Sequence, residues 1–162
     1  MKRPAPLPLL SLLLALPLCA QVPCAREETS RLPAYNDQET DPSREARFEI
    51  RRCVASGLVR VLLFERGARR PAVDFQFQDR LRATYHSFNV LVTQTIGGSG
   101  SVVRVFWFHR GKAQLPVEEN TQGDFRIQHD DKNDLVVHVP PSRHGLTDRQ
   151  LRFPIQVVPD QP

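Results

Sequence analysis

The sequence has no apolar run long enough to cross a bilayer as a helix. Its longest apolar run, 7–18, is interrupted by Pro8, Ser11 and Pro17. That run falls short of the ~20 consecutive apolar residues that a transmembrane helix needs. We therefore expect no transmembrane span in this chain.

Residue patterns that would indicate a specific chemistry are also scarce. The chain has three cysteines and one methionine, with no His-Glu-x-x-His motif and no cysteine pair at zinc-binding spacing. The net charge of +4 includes Lys2 and Arg3 at the extreme N-terminus, and without them it is too small to favour a nucleic-acid partner. We expect no cofactor and no nucleic-acid partner, and a binding protein rather than an enzyme.

The N-terminus, 1–20, has the composition of a secretory signal peptide. Lys2 and Arg3 precede the apolar run, and small residues follow it. Cleavage after Ala20 is one possibility and cleavage after Ala25 is another. A third possibility is a lipoprotein acylated at Cys19, which is disfavoured because Leu18 occupies the position where a small residue is required. The prediction is a secreted or periplasmic protein.

The number of cysteines left after cleavage predicts one disulfide bond. Cleavage after Ala20 and acylation at Cys19 both leave Cys24 and Cys53 as one even pair, whereas cleavage after Ala25 leaves Cys53 alone. An unpaired thiol is unusual in an oxidising compartment, so we expect a Cys24–Cys53 bond. Residues 21–46 are charged and poor in apolar groups, which predicts a flexible polar leader.

From residue 47 to residue 159 the pattern indicates an all-β domain. Apolar and polar residues alternate, and runs of turn-forming residues separate the alternating segments. This predicts about seven to nine short strands in a single antiparallel β-sandwich, with a small β-barrel as the second possibility. Pro154 cannot donate a hydrogen bond to a neighbouring strand, so the last strand is predicted to lie at an edge. The predicted strands are 48–51, 58–65, 73–77, 88–93, 102–108, 125–127, 135–139 and 151–157.

Residues 88–139 resemble part of an immunoglobulin-like domain. The segment VFWFHRGKAQL (105–115) has the form of a strand with a central tryptophan, and DFRIQHDDKNDLVVHV (124–139) has the form of the hairpin that follows it. The inter-sheet cysteines of that family are absent, and Gln94 stands about where the first belongs. The resemblance implies an immunoglobulin-like sandwich, and such domains most often bind other proteins.

The histidines are the candidates for a metal or catalytic site. Matching the apolar residues of 125–139 pairs Arg126 with His138, which places His129 and His138 on opposite faces. A hairpin closed at the GGSG sequence (97–100) would pair Phe88 with His109 and place His86 diagonally from His109 on one face. His86 and His109 are therefore the candidate pair for a small extracytoplasmic enzyme or a metal-binding protein.

The densest basic feature is the turn that contains Arg66, Arg69 and Arg70. Guanidinium groups bind sulfate, phosphate and carboxylate, and loops at strand ends commonly carry binding function. The leading prediction is an exported binding module that recognises a protein or another macromolecule through such loops. A structural or assembly accessory protein with no ligand of its own is a further alternative.

Overall fold

The computed structural model describes residues 24–35, 44–78, 80–97, 100–143 and 147–157. These residues form twelve strands joined by turns. The predicted signal peptide and Cys19 lie outside the described residues. Among the described residues, no helix has the length and apolar character that a bilayer crossing requires.

The first sheet has four antiparallel strands in the order in which the chain forms them. It extends over part of the predicted leader, because β1 lies within residues 21–46. This strand is almost entirely exposed and is held by its backbone pairing with β2. The strands are β1 (Glu27–Pro33), β2 (Arg47–Cys53), β3 (Val59–Phe64) and β4 (Val73–Phe77).

The central sheet follows directly along the chain. Strands β5 to β8 are neighbours in order, and β9 also pairs with β7. The hairpin of β6 and β7 has the predicted register, with Ile96 opposite Ser101 and Val92 opposite Val105. The strands are β5 (Arg80–Ser87), β6 (Val90–Gly97), β7 (Gly100–His109), β8 (Lys112–Ala113) and β9 (Val117–Thr121).

The third sheet contains β10 (Arg126–His129), β11 (Leu135–Val139) and β12 (Arg149–Phe153). Its first hairpin has the predicted register, with Arg126 opposite His138. Strand β12 lies at an edge, as Pro154 predicts, and none of the three sheets closes into a ring within the described part of the chain. The prediction of an all-β antiparallel sandwich is therefore confirmed.

Two apolar clusters hold the three sheets together, one on each face of the central sheet. The first cluster includes Phe48 of β2 and Phe106 and Phe108 of β7. The second includes Val105 of β7 and Val137 of β11. Because alternate residues of a strand point to opposite faces, β6 and β7 contribute to both clusters. This explains the runs of consecutive apolar residues at 90–92 in β6 and 105–108 in β7.

The buried side chain of Asn89 joins the central sheet to the segment that follows β12. Its Nδ2 donates hydrogen bonds to the carbonyl oxygens of Phe108 (2.8 Å) and Pro154 (2.9 Å). Its Oδ1 accepts a hydrogen bond from the backbone N–H of Gln156 (2.8 Å). Asn89 is fully buried, and its three bonds link backbone groups of Phe108, Pro154 and Gln156.

A disulfide bond connects Cys24 and Cys53, as predicted, with their Cα atoms 5.6 Å apart. It joins the residues before β1 to the C-terminal end of β2. The backbone N–H of Val54 also donates to the carbonyl of Arg26 (3.1 Å). The disulfide therefore fixes β1 at the end of the first sheet opposite the β3–β4 turn.

Candidate functional site

The arginine-rich turn between β3 and β4 is held in place by backbone hydrogen bonds. The N–H of Ala68 donates to the carbonyl of Glu65 (3.0 Å), and the N–H of Ala72 donates to the carbonyl of Leu63 (2.8 Å). The Glu65 carboxylate accepts bonds from the Lys112 ammonium (3.0 Å) and the Ala113 backbone N–H (3.2 Å). These contacts attach the turn to the central sheet, so its side chains project from a fixed backbone.

The structure brings a fourth arginine to this turn. The N–H of Gly67 donates to the carbonyl of Arg44 (2.7 Å), so the segment before β2 lies against the turn. Arg44, Arg69 and Arg70 are exposed, and among the described residues none of the three has an acidic partner in contact. We call Arg44, Arg66, Arg69 and Arg70 the arginine turn. Sequence analysis missed Arg44, because only the pairing of β2 with β3 places it there.

An exposed aromatic residue lies at the same end of the sandwich. Phe88 and Asn89 form the turn between β5 and β6, and Phe88 has a φ of 42°, a left-handed conformation that is uncommon for a bulky residue. Its side chain is 37% exposed. Phe88 also borders an open cavity of 330 Å³ lined by Pro33, Tyr35, His86 and Ser87. Backbone strain of this kind is often found at functional sites.

The outer face of the first sheet carries a buried carboxylate. Glu49 is 1% exposed and accepts hydrogen bonds from Arg47 Nε (2.9 Å) and Arg51 Nη2 (2.9 Å). Burial raises the pKa of Glu49, but the hydrogen bonds from Arg51 and Arg47 outweigh it and leave that pKa lowered. The guanidinium of Arg47 also lies 4.0 Å from the ring centre of Phe64. This network holds its arginines within the sheet.

The structure does not bring His86 and His109 together. The His86 ring packs against Phe48 of the first cluster, whereas the His109 ring packs against Trp107, which contacts Phe153 across the second interface. The two histidines therefore lie on opposite faces of the central sheet. The reason is the turn at Phe88, which reverses the chain and places His86 on β5 instead of extending β6. No group of three or more potential metal ligands occurs among the described residues.

The free energy of unfolding should depend on pH because His86 is partly buried. Burial lowers the pKa of its imidazole, and hydrogen bonding to the backbone of Pro33 and Phe88 offsets this only in part. The folded state therefore binds the proton less readily than the unfolded state, whose histidine pKa is about 6.5. We expect the free energy of unfolding to fall as the pH drops below that value. Urea unfolding at a series of pH values would measure this loss.

The control for this prediction is a histidine on the surface. His86→Gln should remove most of the slope between pH 7 and pH 5, whereas His129→Gln, at an exposed position of β10, should leave it unchanged. An equal slope in wild type and His86→Gln would show that His86 does not cause the acid sensitivity.

Comparison of the chain with protein-family models, with curated proteins and with solved structures found no match. Function must therefore be inferred from the geometry of the chain itself. Among the described residues, the arginine turn and the exposed ring of Phe88 lie at the same end of the sandwich and form the candidate site.

Proposed function

We propose that this chain is an exported binding module that recognises a protein partner through the loops at the arginine-turn end. The observation that carries the proposal is the set of exposed arginines Arg44, Arg69 and Arg70 on a turn fixed by backbone hydrogen bonds. A preorganised surface loses less conformational entropy when it binds. The resemblance of residues 88–139 to immunoglobulin-like domains supports the same function.

The composition of this end fits a protein interface. Arginine and aromatic residues are the side chains that most often dominate binding energy, and Phe88 adds an exposed aromatic ring beside a cavity. The Cys24–Cys53 bond fits the proposed secreted or periplasmic location, because disulfides persist mainly in oxidising compartments.

Site-specific photo-crosslinking tests the proposal. A benzoylphenylalanine residue would replace Ala72, which is exposed in the loop of the arginine turn, and in a matched control it would replace Ser56, which is exposed at the opposite end. We expect a discrete protein adduct in the native extracytoplasmic fraction from position 72 and none from position 56. Equal labelling from both positions, or no adduct from position 72, would contradict the proposal.

A second variant tests the aromatic contribution. Asparagine tolerates the left-handed backbone that Phe88 adopts, so Phe88→Asn relieves strain while it loses part of an apolar contact. We expect a change in stability within about 1 kcal/mol and a clear loss of the adduct from position 72. Unchanged adduct yield in a folded Phe88→Asn protein would exclude Phe88 from the contact surface.

A further inference from the structure

Positive charge is distributed unevenly across the layers of the sandwich. Residues 44–78 carry eight arginines and four acidic residues, a net charge of +4. The described residues of the third layer, 124–143 and 147–157, carry five basic and five acidic residues, a net charge of zero. The described residues of the central layer, 80–97 and 100–123, carry five basic and two acidic residues, a net charge of +3. The basic excess therefore lies in the first and central layers and is absent from the third.

Most acidic groups of the first layer are already paired, and Arg44, Arg69 and Arg70 are exposed positive groups of that layer among the described residues. Three of the four form ion pairs: Glu49 with Arg47 and Arg51, Asp74 with Arg60, and Glu65 with Lys112. These pairs occupy the outer face and the base of the turn. The side chains of Arg44, Arg69 and Arg70 remain exposed, with no acidic partner in contact among the described residues.

Carboxylate is the anion that arginines of this layer bind within the fold itself. Arg60 donates to both carboxylate oxygens of Asp74, at 3.2 and 2.5 Å. Arg51 donates twice to Glu49 Oε2, at 3.3 and 2.9 Å. Planar guanidinium groups suit such paired hydrogen bonds. The exposed arginines at positions 44, 69 and 70 offer the same chemistry to an external group.

The size of the site favours a short acidic segment over a long polyanion. The three exposed arginines come from one turn and the residue packed beside it, and Glu45 adjoins Arg44 in the sequence. A sulfated polysaccharide or a nucleic acid gains affinity from a long row of cations. In the described part of the chain, the outer face of the first sheet offers no such row, because Glu49 and Asp74 pair with its arginines. We infer that Arg44, Arg69 and Arg70 bind carboxylates of an acidic segment in a partner protein. This inference rests on the proposed function.

A defined peptide tests the chemistry directly. The probe is a fluorescent peptide of about twelve residues with alternating Glu and Ser, compared with its Gln and Ser counterpart by anisotropy at low salt. The triple variant Arg44→Gln, Arg69→Gln, Arg70→Gln should bind the acidic peptide about tenfold more weakly than wild type. The matched control Arg26→Gln, Arg80→Gln, Arg143→Gln removes the same charge from exposed positions outside the turn and should lose less than about twofold.

Each other outcome has a distinct meaning. Equal losses in both triple variants would show attraction by net charge alone and would overturn the inference. Binding of heparin or of anionic phosphatidylglycerol vesicles that depends on the arginine turn, without binding of the acidic peptide, would also overturn it. A partner adduct from position 72 that excess acidic peptide does not compete away would refute the inference but leave the proposed function standing. Failure to obtain that adduct would refute the proposed function itself.

Discussion

Replacing Asn89 with alanine should lower the free energy of unfolding by about 3–5 kcal/mol. The amide of Asn89 makes three hydrogen bonds, which connect β7 to the segment after β12. Alanine would leave the carbonyl of Pro154 and the N–H of Gln156 without this partner. Pro154 and Gln156 are partly buried, so each of the three lost bonds costs about 1 kcal/mol, and alanine leaves a cavity as well.

Urea unfolding followed by tryptophan fluorescence would measure this loss. Trp107 is the only tryptophan, and it packs against Phe153 between the central and third sheets, so it reports on the region that Asn89 holds. Asn120→Ala is the matched control, because Asn120 is exposed on β9, and it should change stability by less than about 0.5 kcal/mol. A loss below about 1 kcal/mol in Asn89→Ala would show that other groups satisfy the released backbone atoms.

Removing the disulfide bond with the double variant Cys24→Ser, Cys53→Ser should cost about 3–4 kcal/mol. The bond closes a loop with a sequence separation of 29. In the loop-entropy model, a cross-link of this length lowers the conformational entropy of the unfolded chain enough to stabilise the fold by about 3–4 kcal/mol. Strand β1 depends on the bond more than the other strands do, because it buries little side-chain surface. We expect the backbone amides of β1 to lose protection from hydrogen exchange before the rest of the first sheet.

Chemical denaturation and hydrogen exchange together test the role of the disulfide. Thr29→Ala is a control on β1 that keeps the bond and removes only an exposed side chain, so β1 should stay protected in this variant. If β1 keeps its protection in the double variant and stability falls by less than about 1 kcal/mol, backbone pairing with β2 alone is sufficient to hold the strand.

Two hairpin registers were predictable because a single alignment matches the apolar residues on both strands. In β10–β11, Ile127 faces Val137, and a shift of one residue would place apolar side chains opposite polar ones. The β6–β7 hairpin was predictable for the same reason, with glycines at positions 97, 98 and 100 where the chain reverses. All eight predicted strands have counterparts in β2, β3, β4, β6, β7, β10, β11 and β12.

Four additional strands, β1, β5, β8 and β9, were not predicted. Strand β5 alternates Leu81, Ala83 and Tyr85 with polar residues, a signal that the strand prediction missed, whereas β1, β8 and β9 lack a comparable pattern. Strand β1 is charged and exposed, so its pattern resembles a polar linker. Its contact with β2 is made by backbone pairing and by surface ion pairs such as Glu28–Arg52.

The turn before β6 contains no glycine or proline. It forms at Phe88–Asn89, where the buried amide of Asn89 bonds to residues as distant as Gln156, and a local pattern does not reveal such a contact.

The candidate site was predictable in part for the same physical reason. Arg66, Arg69 and Arg70 are close in the sequence, so their proximity could be predicted. Arg44 joins them through Gly67, a contact between segments that only the fold brings together. The separation of His86 from His109 likewise follows from the position of one turn.

The Cys24–Cys53 bond places the start of β1 at the end of the first sheet opposite the arginine turn. Strand β2 runs from Arg47, beside the arginine turn, to Cys53, at the disulfide. A tether attached through the residues before Cys24 would therefore hold the molecule by the end opposite Arg69 and Arg70.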